Sequence, residues 1–249
     1  MLALDDVHAH YGKSHVLHGV SLRVEPGEVV GLLGRNGVGK STTLKAVMGL
    51  VRPSRGRVSL EGRDITGLSP HAICRLGMTR TFQIVQPFAV QTVRENIAVG
   101  AHLHCAGRQE ALDEAELVAQ RVGLAHQLDK PAGDLTVAGR KRLELARTLA
   151  TRPRLLLLDE VLAGLNPQEV ADMVPVVRDI AAGGITVLMI EHVMQAVMNL
   201  AGRVWVLAQG QLIASGTPAE VTRDPAVIEA YLGHGTAQRL RRTAAQEAS

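Results

Sequence analysis

Four runs of apolar residues stand out along the chain, and each has the length of a buried β-strand. Helical patterns of apolar and polar residues separate these runs, so that predicted strands and helices alternate. This alternation predicts an α/β fold built on a mainly parallel sheet. The predicted strands are VVGLL (29–33), LLLLD (155–159), ITVLMI (185–190) and RVWVLA (203–208).

The N-terminal stretch, up to about Leu60, follows a different pattern. Apolar and polar residues alternate there in short segments such as VSLRVEPGE. Pro26 and Gly27 mark a turn at the end of one such segment, because proline fixes φ and glycine tolerates positive φ. We therefore predict an antiparallel side sheet formed by this part of the chain.

Between Thr92 and Thr151 the strand pattern fades and helical periodicity replaces it. The segment EALDEAELVAQRV (110–122) places Leu112, Ala115, Ala119 and Val122 on one helical face. This pattern predicts a helical insertion in the α/β fold. The predicted division is a core with its side sheet (1–91 and 151–234), a helical subdomain (92–150) and a polar tail (235–249).

Composition and charge narrow the choice of function. The 27 basic and 24 acidic residues leave a formal net charge of +3, too balanced to indicate nucleic-acid binding. Cys74 and Cys105 lie far apart and predict neither a disulfide nor a zinc site. The first residues lack a secretory signal pattern, and no apolar run approaches the ~18 residues that span a bilayer. We expect a cytoplasmic protein, attached to a membrane at most through a partner.

The segment GRNGVGKST (34–42) connects the first predicted strand to a predicted helix. It fits G-x-x-x-x-G-K-[ST], in which glycines let backbone N–H groups converge on phosphate oxygens. Lys40 is expected to reach the β- and γ-phosphates and Ser41 to bind Mg²⁺, while the following helix adds positive potential. A glycine-rich turn matching by chance is the alternative, and the strand–helix context argues against it. The residues predicted to contact nucleotide are Gly34, Asn36, Gly37, Gly39, Lys40, Ser41 and Thr42.

Two acidic residues, Asp159 and Glu160, end the predicted strand LLLLD. Asp159 is expected to hold Mg²⁺ directly or through water, and Glu160 to polarise the water that attacks the γ-phosphate. An ordinary strand end with two solvated acids is the alternative, and the four preceding leucines make it the weaker one. The chain lacks the NKxD motif that reads guanine, which argues against a GTPase.

Other polar residues at predicted element ends are weaker candidates. Gln83, in TRTFQ, is a candidate for sensing the γ-phosphate or completing the Mg²⁺ shell, with an ordinary loop residue as the alternative. His192 follows the strand ITVLMI and is placed to hydrogen-bond the γ-phosphate, although a lone histidine at a strand end is usually structural. Asn166, Pro167 and Glu169 fit the N-cap, N1 and N3 positions of a helix, which is a structural reading of AGLN.

The chain resembles the nucleotide-binding subunit of an ABC transporter in a series of motifs that keep the family's order. These are Tyr11, GRNGVGKST, Gln83, LTVAGRKRLELAR, LLLLDE, AGLN and His192, and the resemblance covers about residues 2–233. The finer resemblance is to the ATP-binding proteins of branched-chain amino acid importers, through RTFQ, ENIAVGAH, AGLNPQE and IEHVM. It implies a P-loop NTPase (RecA-like) core with an antiparallel side sheet and an inserted helical subdomain.

The resemblance implies an ATPase that powers membrane transport, with branched-chain amino acid uptake as its nearest match. Two such subunits, identical or different, would sandwich ATP and Mg²⁺ head to tail, each site combining one phosphate loop with the other chain's signature motif. The implied partners are integral permease subunits, a second ATP-binding subunit and, indirectly, a substrate-binding protein, with no nucleic acid. The implied location is peripheral, at the cytoplasmic face of the inner membrane.

The resemblance also assigns roles to single residues. Tyr11 would stack on adenine, with simple packing in the side sheet as the alternative. Thr136 and Ala138, in the signature segment, would face the nucleotide bound on the partner chain. A groove near residues 83–96 would receive a coupling helix from the membrane subunit. Catalysis is assigned to Lys40, Glu160 and His192, and the Mg²⁺ ligands are Ser41, Gln83 and Asp159.

Three positions depart from the family's pattern. The signature, usually close to LSGGQ, reads LTVAG (135–139), which keeps a hydroxyl but loses both glycines. Val161 stands where proline commonly follows the catalytic glutamate. Pro175 falls inside a predicted helix, and it should bend this helix or remove one of its hydrogen bonds. We expect the altered signature to weaken, without abolishing, closure over the partner's ATP.

Two other functions fit parts of the sequence. The chain could be a soluble ABC ATPase of DNA repair or translation, but such proteins usually carry long coiled coils or a second ATPase copy. It could also be a regulatory binder that does not hydrolyse ATP, as the degenerate signature suggests. The presence of Lys40, Glu160 and His192 argues against this second alternative.

Overall fold

The computed structural model describes residues 1–232, so the predicted polar tail lies outside the described residues. This part of the chain forms two sheets. The strands are β1 (Leu2–Tyr11), β2 (Ser14–Val24), β3 (Val29–Leu33), β4 (Arg55–Leu60), β5 (Arg63–Asp64), β6 (Met78–Arg80), β7 (Leu155–Asp159), β8 (Thr186–Ile190), β9 (Arg203–Ala208) and β10 (Gln211–Gly216).

The main sheet has the strand order β10-β9-β3-β8-β7-β6, and every neighbouring pair is parallel except β10 with β9. The side sheet has the order β2-β1-β4-β5 and is antiparallel throughout. Both predicted sheets are therefore confirmed. The sequence pattern missed the short strand β6 and the edge strand β10, and placed the start of β8 one residue too early.

Helices cover the main sheet and fill the predicted insertion. Their bounds are α1 (Lys40–Val47), α2 (Pro70–Arg75), α3 (Val93–Ala101), α4 (Arg108–Arg121), α5 (Val137–Leu149), α6 (Pro167–Ala182), α7 (Met194–Leu200), α8 (Pro218–Val221) and α9 (Pro225–Leu232). Residues 92–150 contain α3, α4 and α5, with short 3₁₀ turns at Ala125–Gln127 and Ala132–Asp134. The exact subdomain boundaries stay a prediction.

The buried face of α4 follows the predicted one and extends beyond it. Ala115 and Ala119 are buried as expected, and Val122 is buried just beyond the helix end. Leu112 is only partly buried, but it packs against the same core cluster, in agreement with its predicted face. Ala111 and Val118, which the pattern did not single out, complete the buried surface that α4 presents to α3 and α5.

Helix α6 begins with the predicted cap. The Asn166 side chain accepts a hydrogen bond from the Glu169 N–H, and the Glu169 carboxylate accepts one from the Asn166 N–H. This reciprocal pair satisfies two N–H groups that the helix itself cannot bond. The helix continues through Pro175 to Ala182, although proline supplies no N–H to the helical ladder.

The main sheet divides the apolar interior into two clusters. Along β7, Leu156 and Leu158 contact one cluster while Leu155 and Leu157 contact the other, because successive side chains of a strand point to opposite faces. The first cluster contains residues of α3 to α7, and the second joins the side sheet and α1 to the main sheet. Among the described residues, no helix combines the length and apolar character needed to cross a membrane.

Candidate functional site

The predicted phosphate loop lies between the end of β3 and the start of α1 at Lys40. Gly34 and Gly39 have positive φ values of 151° and 112°. A side chain at Gly34 would collide with the main-chain oxygen of Leu207, so this position requires glycine for steric as well as conformational reasons. The loop borders a polar cleft of about 330 Å³, lined on this side by Asn36, Gly37, Gly39, Lys40, Ser41 and Thr42.

Three side chains from distant segments, Gln83, Glu160 and His192, line the opposite side of the cleft. Glu160 connects them: its Oε2 accepts a hydrogen bond from Gln83 Nε2 at 2.6 Å, and its Oε1 lies 2.8 Å from His192 Nε2. Because a carboxylate can only accept, His192 donates the proton on Nε2. The structure thus brings together residues that the sequence predicted from three separate motifs.

The backbone at Glu160 is held in an unusual conformation. Its φ is +52°, in the left-handed region that residues with a side chain adopt at a cost of about 1–3 kcal/mol. The Glu160 N–H donates to the main-chain oxygen of Ile190 at 2.9 Å, which ties this turn to the end of β8. Strain that the surrounding structure imposes in this way is characteristic of residues positioned for function.

Lys40 is buried in the loop that it follows. Its Nζ donates to the main-chain oxygens of Gly34 at 2.7 Å and Arg35 at 2.9 Å. Burial lowers the pKa of the Lys40 ammonium, and the nearby carboxylates of Glu160 and Asp159 act in the opposite direction. Lys40 therefore supplies a positive charge to the cleft lining, near the negative charges of Glu160 and Asp159.

Asp159 has the properties of a metal ligand. Its side chain is buried and its Oδ1 has no hydrogen-bond partner in the protein, although carboxylate oxygens of this kind are normally paired. Burial, aided by the charge of Glu160, raises the pKa of the Asp159 carboxyl. A hard cation such as Mg²⁺ prefers such oxygens and keeps several of its waters. Together with Ser41 and Gln83, Asp159 therefore fits the predicted magnesium site.

The sequence did not reveal two buried charged residues behind the cleft. Lys141, on α5, donates from Nζ to the main-chain oxygens of Gln83 at 3.1 Å and Glu160 at 3.0 Å. Glu191 accepts the N–H of Leu162 at 3.0 Å on Oε1, and its Oε2 is buried without a partner. Burial raises the pKa of Glu191 to about 7. A sequence signal did exist in α5, since Lys141, Glu144 and Thr148 recur at helical spacing on its buried face.

Five predicted site residues lie outside the lining of this cleft: Tyr11, Gly34, Thr136, Ala138 and Asp159. The Tyr11 ring is exposed at the end of β1, 5.9 Å from the Lys45 ammonium of α1, so it does not simply pack inside the side sheet. Thr136 caps α5 by accepting the N–H of Gly139 at 3.1 Å. Stacking on adenine and contact with a partner's nucleotide stay predictions.

A larger groove, of about 580 Å³, lies between α2, α3 and α5. Its walls include Phe82, next to Gln83 in sequence, and Val99 on α3, and both side chains are exposed. The guanidinium of Arg147 lies 5.2 Å from the ring of Phe88, another exposed aromatic residue in the segment after Gln83. The groove flanks the predicted docking segment through Phe82 and Val99, but none of residues 83–96 lines it, so the predicted docking groove stays a prediction.

The loop between strand and helix, the buried Asp159 and the carboxylate of Glu160 together define a phosphate-loop nucleotide hydrolase. The family model of ABC transporters matches residues 17–163, and that of the branched-chain amino acid ATP-binding cassette transporters matches residues 211–237. The chain is 37% identical to BraF of Pseudomonas aeruginosa, a high-affinity branched-chain amino acid transport ATP-binding protein, covering 94% of this chain and 98% of BraF. It is 35% identical to LptB of Acidithiobacillus ferridurans, a lipopolysaccharide export ATP-binding protein, covering 94% and 97%.

Solved structures agree with these relatives. The ATP-binding cassette MJ1267 of an ABC transporter, in its ADP conformation, superimposes with a TM-score of 0.85 at 32% identity, covering 94% of this chain and 99% of MJ1267. The chain belongs to the ATP-binding subunits of ABC transporters. It is an ATP-binding and ATP-hydrolysing transporter subunit, in agreement with the function that the sequence motifs predicted.

Proposed function

We propose that this subunit powers the uptake of branched-chain amino acids. The observation that carries the substrate class is the match of residues 211–237 to the branched-chain amino acid cassette family, beyond the segment matched by the general family. The subunit would work as a peripheral protein at the cytoplasmic face of the inner membrane. Its partners there would be integral permease subunits that receive cargo from a substrate-binding protein.

In this proposal MgATP occupies the polar cleft. The phosphate-loop N–H groups and Lys40 bind the phosphates, while Ser41, Gln83 and Asp159 hold Mg²⁺ directly or through water. The metal would neutralise charge that develops on the phosphate oxygens. Glu160 accepts a proton from the attacking water, and His192 contacts the γ-phosphate. The existing bonds of Glu160 to Gln83 and His192 support this arrangement, because they place all three polar groups at one point.

A second ATP-binding subunit would complete each site from the other side. The N-terminus of α5, which carries LTVAG, is accessible: Val137 is 56% exposed and Thr136 is exposed as well. Free N–H groups at a helix N-terminus attract phosphate. The Thr136 hydroxyl accepts the Gly139 N–H and still has its own proton to donate. These features support a head-to-tail dimer in which α5 faces the partner's γ-phosphate.

The groove between α2, α3 and α5 is the proposed docking site for a coupling helix of the permease. Exposed apolar side chains at its walls, Phe82 and Val99, would be covered in the complex. Glutamate at position 99 should reduce recovery of permease proteins at least about tenfold, because an uncompensated charge would be buried in the interface. Pull-down of the tagged subunit from membranes, followed by identification of the co-purified integral proteins, measures this effect.

The control for Val99→Glu is Leu117→Glu, which adds the same charge at an exposed apolar residue of α4. Equal permease recovery by both variants would show that the groove is not the docking site.

Uptake of labelled leucine by the purified wild-type complex in vesicles tests the substrate class. The similarity to LptB raises lipopolysaccharide export as a second candidate function, and export without leucine uptake would support it. Exclusive recovery with DNA or ribosomes would support a soluble ATPase.

The unusual signature leads to a separate prediction about closure. The side chains of Val137 and Ala138 stand where the family's glycines allow close backbone approach, although the helix N–H groups are retained. Restoring glycine at both positions should raise ATP turnover of the assembled transporter and its ATP-driven dimerisation by about 2- to 10-fold, by removing steric interference. We infer that an unmodified complex has one weaker and one stronger site, as a heterodimer would.

The measurement is steady-state phosphate release together with the sedimentation of the ATP-bound subunit. Glycine at Val90, an exposed loop residue, is the matched control for the added backbone freedom. Unchanged turnover in the double-glycine variant, with two equally active sites in the wild-type complex, would show that LTVAG is a harmless variant.

A further inference from the structure

The ammonium group of Lys141 joins two segments of the catalytic cleft. The side chain is only 6% exposed, and its Nζ donates to the main-chain oxygens of Gln83 and Glu160. These are the same two residues whose side chains hydrogen-bond each other at 2.6 Å. Lys141 therefore fixes the backbone at both ends of the bond that orients the Glu160 carboxylate.

The hydrogen bond from Lys141 to the Glu160 carbonyl oxygen lies at a strained backbone position. Because φ of Glu160 is +52°, this residue needs contacts that hold it against relaxation to an ordinary conformation. Its N–H is held by Ile190 of β8, and its carbonyl oxygen is held by Lys141 of α5. The strained residue is thus fixed on both sides by hydrogen bonds from different elements.

Lys141 also places a buried positive charge near several acidic side chains. Burial lowers the pKa of its ammonium, while Glu191, Glu160, Asp159 and Glu144 act to raise it, in that order. A neutral side chain at this position would leave the buried carboxylates without that positive charge. The charge and the two hydrogen bonds therefore act on the same part of the site.

We propose that Lys141 is a positioning residue for ATP hydrolysis, which holds the Glu160 carboxylate and the Gln83 segment in their catalytic arrangement. This role rests on the proposed assignment of Glu160 and Gln83 to the hydrolytic step. Lys141 lies one turn into α5, whose N-terminus carries the LTVAG segment.

The test compares Lys141→Met with Lys141→Arg in the full-length protein, supplied with MgATP. Methionine keeps the length of the side chain but removes the charge and the donors. It should lower kcat about 100-fold, the scale expected when a catalytic group is misplaced by about 1 Å, while KM for ATP stays within about threefold. Arginine restores the cation and should recover most of the lost kcat. The exposed Lys130 provides the control variant, Lys130→Met, with wild-type kcat.

Thermal unfolding and nucleotide binding show whether each variant is folded. Should the methionine variant fail to fold, Lys141→Gln keeps an N–H donor without the charge and takes its place in the comparison. A folded methionine or glutamine variant with wild-type kcat overturns the proposal, as does a loss that appears only in KM. Glu160→Gln distinguishes the proposed role of Lys141 from the assignment of Glu160 to the hydrolytic step. An inactive Glu160→Gln beside a fully active Lys141→Met refutes the role of Lys141 alone, whereas an active Glu160→Gln refutes the assignment of Glu160.

Discussion

Glu160→Gln is expected to stop ATP turnover while ATP remains bound. The amide has the same shape as the carboxylate and can still contact Gln83 and His192, which lie 2.6 and 2.8 Å from the two Glu160 oxygens. It cannot take a proton from water, however, and a positioned general base contributes roughly 10²–10⁴-fold to a rate. We therefore expect kcat to fall at least about 100-fold, with an ATP-bound dimer accumulating.

Phosphate release in a transport-competent complex measures the turnover of this variant, and gel filtration with ATP measures the dimer. The matched control is Glu116→Gln, which neutralises an exposed acid that pairs with Arg94 on the helical subdomain. Its turnover should equal that of the wild type, because a surface ion pair contributes little. Steady-state ATPase at the wild-type rate in Glu160→Gln would remove Glu160 from its assigned role.

Lys40→Ala is expected to abolish tight ATP binding, whereas Glu160→Gln is expected to affect hydrolysis. Lys40 lines the cleft, and its ammonium donates to the oxygens of Gly34 and Arg35, which phosphate would replace in the proposed complex. Two charge-assisted contacts to phosphate, at about 1.5–3 kcal/mol each, correspond to roughly 10²–10⁴-fold in Kd. Titration with a fluorescent ATP analogue measures this loss directly.

The control for Lys40→Ala is Lys130→Ala, since Lys130 is exposed and lies outside the cleft lining. Its Kd should match that of the wild type. Thermal unfolding without nucleotide distinguishes a lost phosphate contact from a disordered loop. A Kd within about twofold of the wild type in the folded Lys40→Ala variant would show that other groups bind the β- and γ-phosphates.

The sequence predicted much of the site because the phosphate-loop motif consists of consecutive residues. The positions from Gly34 to Ser41 match a motif of fixed spacing, which is enough to identify the phosphate loop and the start of α1. Asp159 was predictable for a similar reason, as it ends a strongly apolar strand. Gln83 and His192 were weaker candidates from their positions near predicted element ends, and the resemblance to a known family strengthened both.

The contacts of Lys141 and Glu191 were not predictable in the same way. The partners of Lys141 lie 58 and 19 residues away in sequence, and the partner of Glu191 lies 29 residues away. Only the packing of α5 against the main sheet and the position of β8 within that sheet bring them together, and no local pattern encodes those distances.

The position of β3 in the main sheet has a consequence for synthesis of the protein. Val29 pairs with Val187 on one side, and Val30 pairs with Arg203 on the other, so both neighbours of the strand that leads into the phosphate loop are translated late. At about 5–20 residues per second, this apolar strand waits many seconds on the ribosome with both edges unpaired. The cleft is complete only after His192 has left the exit tunnel, and a chain halted earlier would expose a strand edge suited to aggregation.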